Sequence, residues 1–122
     1  MSGRILIVDD SGLARRRARA ILEGAGFEVF EAQDGISALE TYFVQKPDVV
    51  LLDLVMEGMY GLEVLARLRE MDPQARVIVV SADIQSSSHE LVAEGGAAGF
   101  LVKPVDATEV LTLVRSTLGV HG

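Results

Sequence analysis

The sequence predicts one α/β domain built on a parallel five-stranded sheet with helices on both faces. The 122 residues contain five short, mostly apolar runs that alternate with longer stretches of helical character. Each run and the stretch after it take up about 24 residues, enough for the crossover of a dozen or more residues that parallel strands require. A closed barrel would need eight such units and about 250 residues. We therefore expect an open sheet that is covered by helices on both faces.

Short apolar runs, bounded by glycine, proline or charged residues, predict the strands. The first, third and fourth runs are apolar at nearly every position, which is typical of strands buried on both faces of a parallel sheet. The predicted strands are Arg4–Val8, Phe27–Ala32, Asp48–Asp53, Arg76–Ser81 and Gly99–Lys103.

Helical spacing of apolar residues predicts the first two helices. The first covers Ser11–Ala25. Asp34 is placed to cap the second helix, whose apolar residues are Ile36, Leu39 and Phe43.

Three further helices follow from the same pattern. Leucines at a spacing of three, from Leu62 to Leu68, mark the third helix. Asp106 with Glu109 forms a capping-box pattern at the start of the last helix. The fourth predicted helix, between Ser86 and Glu94, is the weakest because it has few apolar anchors.

Composition excludes several classes of protein. The chain has no cysteine, which excludes disulfides, thiolate chemistry and zinc sites of the cysteine type. The net charge of −7 argues against direct binding of nucleic acid. No apolar segment reaches the roughly 18 residues of a membrane helix, and no secretory signal begins the chain. We expect a cytoplasmic protein without membrane insertion, organised as one domain over residues 1–122.

Chemistry is expected where the strands end, because ligands of open α/β sheets bind outside the carboxyl ends of the strands. Three carboxylates, a hydroxyl and an ammonium meet at this edge of the predicted sheet. They belong to Asp9 and Asp10 after the first strand, Asp53 after the third, Ser81 after the fourth and Lys103 after the fifth.

Crowded carboxylates repel one another, and a bound cation relieves the repulsion. Oxygen ligands favour Mg²⁺, with Mn²⁺ as the alternative, over zinc. Magnesium usually joins a phosphate, to which Lys103 offers a point charge and Ser81 a hydrogen bond. The cluster predicts a magnesium-assisted phosphoryl site in which Asp53 is the nucleophile. Asp9 and Asp10 would hold the metal.

Each of these residues also has an ordinary structural role open to it. Asp10 could cap the first helix, Asp53 or Ser81 could belong to turns, and Lys103 could be a solvated loop residue. The conjunction of all five at one edge favours a functional site.

The strand ends stand within motifs that resemble those of receiver domains of two-component response regulators, the CheY-like family. The resemblance spans about residues 4 to 118 and implies a flavodoxin-like, doubly wound (βα)5 fold with strand order 2-1-3-4-5. The motifs are Ile-Leu-Ile-Val-Asp-Asp-Ser (5–11), Asp-Gly-Ile-Ser-Ala-Leu (34–39), Val-Val-Leu-Leu-Asp-Leu-Val-Met (49–56), Gly61, Val-Ile-Val-Val-Ser-Ala (77–82) and Gly-Phe-Leu-Val-Lys-Pro (99–104).

The resemblance implies a phosphorylation switch at the acidic cluster. Asp53 is then the phosphoacceptor, and Lys103 pairs with the phosphoryl group. Asp9 and Asp10 bind Mg²⁺ together with the backbone carbonyl of Val55. The only catalysis implied is Mg²⁺-dependent self-phosphorylation from a phosphodonor and autodephosphorylation, so the chain is expected to be a signalling protein rather than an enzyme.

The resemblance also implies a moving part. Ser81 engages the phosphoryl group, and Phe100 stands at the aromatic switch position without the hydroxyl of the usual tyrosine. A cis peptide bond between Lys103 and Pro104, frequent in this family, is expected here.

Two positions near the phosphoacceptor are expected to modulate it. Glu57 replaces the usual proline; it is either a solvated loop residue or approaches the metal and its waters. Asp83, unlike Val55, has a side chain that can orient water near the phosphoryl group.

The resemblance implies that the phosphoryl group comes from a histidine kinase or a histidine phosphotransfer protein. A downstream effector would bind the face formed by the fourth predicted helix, the fifth strand and the last helix. The first helix carries a group of arginines that predicts a solvated face, with an acidic docking partner as the alternative: Arg15, Arg16, Arg17 and Arg19. A homodimer is left open.

Other function classes fit less well. Phosphatases with an aspartate nucleophile place their two acids at a spacing of two after the first strand, whereas Asp9 and Asp10 are adjacent. An FMN carrier would need an uncharged phosphate loop at that position. The remaining alternative is a degenerate receiver that acts as a phosphorylation-independent binding module, favoured by Glu57 alone.

Overall fold

The computed structural model describes residues 3–54, 61–82 and 93–119. The predictions made for Val55, Glu57 and Asp83 lie outside the described residues, as does nearly all of the helix predicted between Ser86 and Glu94. The described ranges contain all five predicted strands and the other four predicted helices.

The five strands form one parallel sheet. They are β1 (Arg4–Val8), β2 (Glu28–Ala32), β3 (Val49–Asp53), β4 (Val77–Ser81) and β5 (Gly99–Val102). Their order across the sheet is β2-β1-β3-β4-β5, which confirms the predicted topology. Every residue of β3 and β4 is buried, as their continuous apolar runs predicted.

Three of the four described helices begin directly after a capping side chain. They are α1 (Gly12–Gly24), α2 (Gly35–Gln45), α3 (Gly61–Met71) and α4 (Ala107–Leu118). The caps predicted at Asp34 and Asp106 are confirmed, since each carboxylate accepts a hydrogen bond from a backbone N–H of the first turn. None of the described helices is long and apolar enough to cross a membrane.

Two apolar clusters bury the two faces of the sheet. Successive side chains of a strand point to opposite faces, so Leu6 packs on one side and Ile5 on the other. The Leu6 side is covered by α2 and α3, for example by Val64. The Ile5 side is covered by α1 and α4, with Leu22 and Val110 fully buried. Packing on both faces thus fixes the sheet, and the candidate site residues lie at the carboxyl ends of its strands.

Two of the apolar residues that mark α2 in the sequence lie outside the core. Ile36 and Phe43 are 63% and 71% exposed. Gly35, Ala38 and Tyr42 face the protein interior instead. Two small residues let the helix approach closely, and the Tyr42 hydroxyl remains satisfied because it donates to Asp72 Oδ2 at 2.7 Å.

Gly61 begins α3 in direct contact with the backbone that follows β3. Its N–H donates to the carbonyl of Leu54 at 2.8 Å. A Cβ at this position would lie 2.5 Å from the Leu54 carbonyl oxygen and 2.6 Å from that of Asp53. Only glycine allows the chain to return this closely to the residue that ends β3.

Gly61→Ala should therefore destabilise the fold by about 1–3 kcal/mol, because backbone atoms must move to admit the methyl group. The matched control is Gly24→Ala at the end of α1, where an added Cβ meets no atom within 4 Å. Urea unfolding of both variants measures the effect. Equal midpoints for the two variants would contradict the close packing at Gly61.

Candidate functional site

The register of the sheet brings the acidic residues together. Val8 pairs with Leu52, so Asp9 emerges beside Asp53 at the end of the neighbouring strand. Asp9, Asp10 and Asp53 each place one carboxylate oxygen within 4.8 Å of the oxygens of the other two. Asp9 and Asp53 are buried, with 6% and 7% of their surface exposed, whereas Asp10 is exposed. Two of the three charges are thus held where water screens them poorly.

Lys103 supplies a positive charge to this cluster from the far strand of the sheet. Its Nζ donates to Asp9 Oδ2 at 2.8 Å and lies 3.5 Å from Asp53 Oδ2. Burial acts to lower the pKa of Lys103, but the hydrogen bond to Asp9 and the charges of Asp53 and Asp9 outweigh it and raise that pKa. The side chain is therefore an ammonium that faces two carboxylates.

The backbone around Lys103 holds the side chain in this position. The Lys103 N–H donates to the carbonyl of Ser81 at 2.9 Å, which extends the pairing of β4 and β5 past the end of β5. The peptide bond between Lys103 and Pro104 is cis, as expected.

Asp9 is held on several sides. Its N–H donates to Ala32 on β2 at 3.1 Å, and its Oδ1 accepts from the N–H of Ser11 at 2.9 Å. Ser11 rather than Asp10 caps α1, since its side chain accepts from Ala14. Asp10 is thereby left at the site without a capping role.

Arg15 forms a contact with the site that the sequence analysis missed. Its Nη1 donates to the backbone carbonyl of Asp9 at 2.7 Å, and its Nε donates to Glu31 at 3.0 Å. Arg19 donates to the other oxygen of Glu31 at 2.5 Å. The prediction of a solvated face is therefore wrong for Arg15 and Arg19, which are partly buried, while Arg16 and Arg17 are exposed.

The i, i+4 spacing of Arg15 and Arg19 was the available signal, since it stacks their side chains on one side of α1. The sequence alone does not show that Glu31 of β2 lies opposite them.

The two predicted switch residues lie on neighbouring strands. Ser81 is 1% exposed at the end of β4. Phe100 pairs with Val79 in the sheet and packs, half-buried, against the apolar cluster of the α2 and α3 side. Val55, Glu57 and Asp83 lie outside the described residues, so the structure does not place them relative to the carboxylates.

Comparison with known proteins identifies the family. The family model for the response regulator receiver domain matches residues 5–115. The chain belongs to the response regulator receiver domain family. Its fold is thus that of a receiver domain in two-component signalling.

Several curated relatives align with this receiver domain over nearly their whole length. The chemotaxis protein CheY of Bacillus subtilis is 41% identical over 119 residues, covering 97% of this chain and 99% of its own. Sporulation initiation phosphotransferase F of the same species is 35% identical over 122 residues, covering 97% and 95%.

Solved structures agree with the sequence relatives. A CheY-like receiver domain protein from Methanospirillum hungatei superimposes with a TM-score of 0.92 at 26% identity, covering 98% of this chain and 95% of its own. A CheX–CheY–BeF₃–Mg²⁺ complex from Borrelia burgdorferi matches with a TM-score of 0.90 at 35% identity, covering 93% and 87%.

Protonation of Glu31 should make the receiver domain less stable as the pH falls into the acidic range. The hydrogen bond from Arg19 lowers the pKa of Glu31; burial opposes this, and Arg15 adds to the lowering. The folded-state pKa therefore lies below the ordinary 4.5. The carboxylate stabilises the fold above that ordinary value, and its contribution is lost as pH falls through the folded-state pKa.

Glu31→Gln should therefore be less stable than the parent by about 1 kcal/mol at neutral pH. The difference should shrink as pH falls below 4.5. Denaturant unfolding at a series of pH values measures it. A difference that stays constant with pH would contradict the role of the Glu31 charge.

Proposed function

We propose that residues 1–122 act as one receiver domain that is phosphorylated on Asp53 with the help of Mg²⁺. The observation that carries this proposal is the position of the Asp53 carboxylate. It is buried beside Asp9 and faces the Lys103 ammonium at 3.5 Å. A carboxylate held at a fixed place between a cation and other acids is suited to attack a phosphorus atom.

The acidic cluster fits a hard divalent cation. Asp9, Asp10 and Asp53 carry three negative charges against the one positive charge of Lys103, and all of the candidate ligand atoms are oxygens. Such a donor set favours Mg²⁺, with Mn²⁺ as the alternative. When bound, Mg²⁺ supplies positive charge for the phosphoryl oxygens. We include the backbone carbonyl of Val55 as a further ligand on the basis of the family motif.

Transfer of the phosphoryl group from the donor to Asp53 needs no reactant other than the phosphodonor. A carboxylate oxygen of Asp53 forms a bond to phosphorus as the bond between phosphorus and the imidazole nitrogen of a phosphohistidine breaks. The electron pair of the broken bond stays on that nitrogen. Lys103 faces the negative charge at Asp53, and in this proposal the Ser81 hydroxyl at the end of β4 donates a hydrogen bond to the transferred group.

A cavity beside the carboxylates gives a phosphodonor room to approach. It has a volume of about 540 Å³ and lies between α1 and the loop that follows β5. Asp9, Asp53 and Lys103 line it, together with Leu13 and Arg17 of α1. The donor we propose is a histidine kinase or a histidine phosphotransfer protein.

Phosphorylation would then change the affinity of the domain for a downstream effector. It adds negative charge and acceptor oxygens at Asp53, beside the buried Ser81. A shift of Ser81 toward the phosphoryl group and rotation of Phe100 would favour a second conformation of the β5 and α4 side. The CheX–CheY–BeF₃–Mg²⁺ complex from Borrelia burgdorferi, in which a CheY is bound to another protein, supports binding of a protein partner by this chain.

Incubation with Mg²⁺ and acetyl phosphate, followed by intact mass spectrometry, tests the proposal. We expect a gain of one phosphoryl group in the parent and no gain in Asp53→Asn. The matched control is Asp48→Asn, an exposed acid just before β3 at the other edge of the sheet, which should be phosphorylated like the parent. No gain in the parent would overturn phosphorylation and favour the phosphorylation-independent binding module.

Arg15 should act as a positioning residue for the metal site. Its hydrogen bond holds the carbonyl of Asp9, and the Asp9–Asp10 peptide plane sets where the Asp10 carboxylate points. Arg15→Gln should therefore weaken Mg²⁺ binding about ten-fold, as is usual when a group that orients metal ligands is removed. Isothermal titration calorimetry without phosphodonor measures the affinity.

The control is a substitution of the exposed neighbour Arg16, because it removes the same charge from the same helix without breaking the hydrogen bond to Asp9. Arg16→Gln should bind Mg²⁺ within about two-fold of the parent, because the remaining charge effect is screened. Thermal unfolding of both variants shows that they are folded. Equal Mg²⁺ affinities for the two variants would mean that Arg15 does not position the ligands.

A further inference from the structure

Two arginines and two glutamates form a connected set of ion pairs beside the acidic cluster. We call it the Glu31 network and define it by Arg15, Arg19, Glu23 and Glu31. Arg15 Nε donates to Glu31 Oε1 at 3.0 Å, and Arg19 Nη1 donates to Glu31 Oε2. Arg19 also pairs with Glu23, one turn further along α1, at 3.1 Å. Glu31 is thus held at both of its carboxylate oxygens, one by each arginine.

The Glu31 network reaches the acidic cluster at the backbone carbonyl oxygen of Asp9. Arg15 Nη1 donates to this oxygen at 2.7 Å, so one guanidinium binds both Glu31 and the peptide that joins Asp9 to Asp10. The side chains of Arg15 and Glu31 are only 19% and 26% exposed, which shields their contact from much of the solvent. Hydrogen bonds between charged groups are among the stronger ones in proteins. The Glu31 carboxylate therefore fixes where the Arg15 guanidinium lies.

Glu31 is well placed to hold an arginine still. An arginine side chain is long and loses much rotamer freedom when it is kept in one place, so a single neutral acceptor is a weak restraint. Glu31 adds a second, charged acceptor from a strand of the sheet. Its register is set by the sheet, in which Glu31 pairs with Ile7, two residues before Asp9. A group carried on a strand holds its partner more precisely than one on a loop.

We propose that Glu31 is a positioning residue for the Mg²⁺ site and acts through Arg15 on the peptide between Asp9 and Asp10. This inference rests on the proposed metal site and adds to it a residue of β2, a strand that contributes no carboxylate to the acidic cluster. The peptide carbonyl held by Arg15 fixes the plane from which Asp10 departs. Partners that orient metal ligands in this way set the affinity of a site for its metal.

A purely electrostatic role for the network would give a different pattern of affinities. Glu31 is negative and would attract a cation, whereas Arg15 and Arg19 are positive and would repel it, each effect being reduced by salt. Removal of the Arg19 charge would then tighten Mg²⁺ binding. Positioning predicts the opposite sign, because without Arg19 one oxygen of Glu31 loses its partner and Glu31 holds Arg15 less firmly.

Four variants test the proposal by isothermal titration calorimetry with Mg²⁺ and no phosphodonor. Glu31→Ala should weaken Mg²⁺ binding roughly five-fold, less than the ten-fold loss expected for Arg15→Gln because Glu31 acts one contact further from the ligands. Adding Glu31→Ala to Arg15→Gln should change the affinity by less than about two-fold, since the side chain through which Glu31 acts is then absent. Arg19→Gln should weaken binding about three-fold.

The matched control is Glu28→Ala. Glu28 is a glutamate of the same strand and also pairs with an arginine, Arg4, at 2.8 Å, but it lies at the other end of β2. Its removal should leave the Mg²⁺ affinity within about two-fold of the parent. Thermal unfolding establishes that every variant is folded. A loss of stability is expected for both glutamate variants, whereas a loss of metal affinity is expected for Glu31→Ala alone.

The outcomes separate the positioning role from the metal site itself. Parental Mg²⁺ affinity in Glu31→Ala would overturn the proposal and leave the metal site intact. The same loss from Glu31→Ala with and without Arg15, or tighter binding in Arg19→Gln, would also overturn it, because the network would then act by charge alone. A parent that binds no Mg²⁺ would overturn the metal site and the positioning role together.

Discussion

Repulsion among three carboxylates is the constraint on which the rest of the site depends. Asp9 and Asp53 are buried, and one carboxylate oxygen of each lies within 4.8 Å of the other and of an oxygen of Asp10. Like charges at low dielectric interact strongly. The surroundings offset this repulsion with the Lys103 ammonium and with the backbone N–H of Ser11, both of which donate to the Asp9 carboxylate. The remaining excess of negative charge is what a divalent cation would neutralise. The chemistry of the site therefore depends on a fold that can hold these like charges close together.

The fold brings the compensating charge to the carboxylates from a distant part of the chain. Asp9 and Lys103 are 94 residues apart in sequence but bonded at the same sheet edge, because parallel strands all end there. Burial of apolar side chains on both faces of the sheet stabilises the fold, and this offsets the free-energy cost of holding the carboxylates close together. A loss of β5 from the sheet would remove Lys103 and leave two buried carboxylates facing each other.

The sequence predicted the features that depend on local pattern. The continuous apolar runs identified β3 and β4, and the side chains of Asp34 and Asp106 identified helix starts. Asp53 and Lys103 were placed together because strand ends in a parallel sheet share an edge. The contact from Arg15 to Asp9 could not be predicted in this way, because it depends on where Glu31 of the neighbouring strand lies.

The exposed side of α2 could not be predicted for a different reason. Periodicity locates an apolar stripe, but Gly35 and Ala38 allow the opposite side of α2 to pack more closely. The helix packs on β1, β2 and α3, whereas Phe100 lies on β5, the edge strand on the opposite side of the sheet from β2.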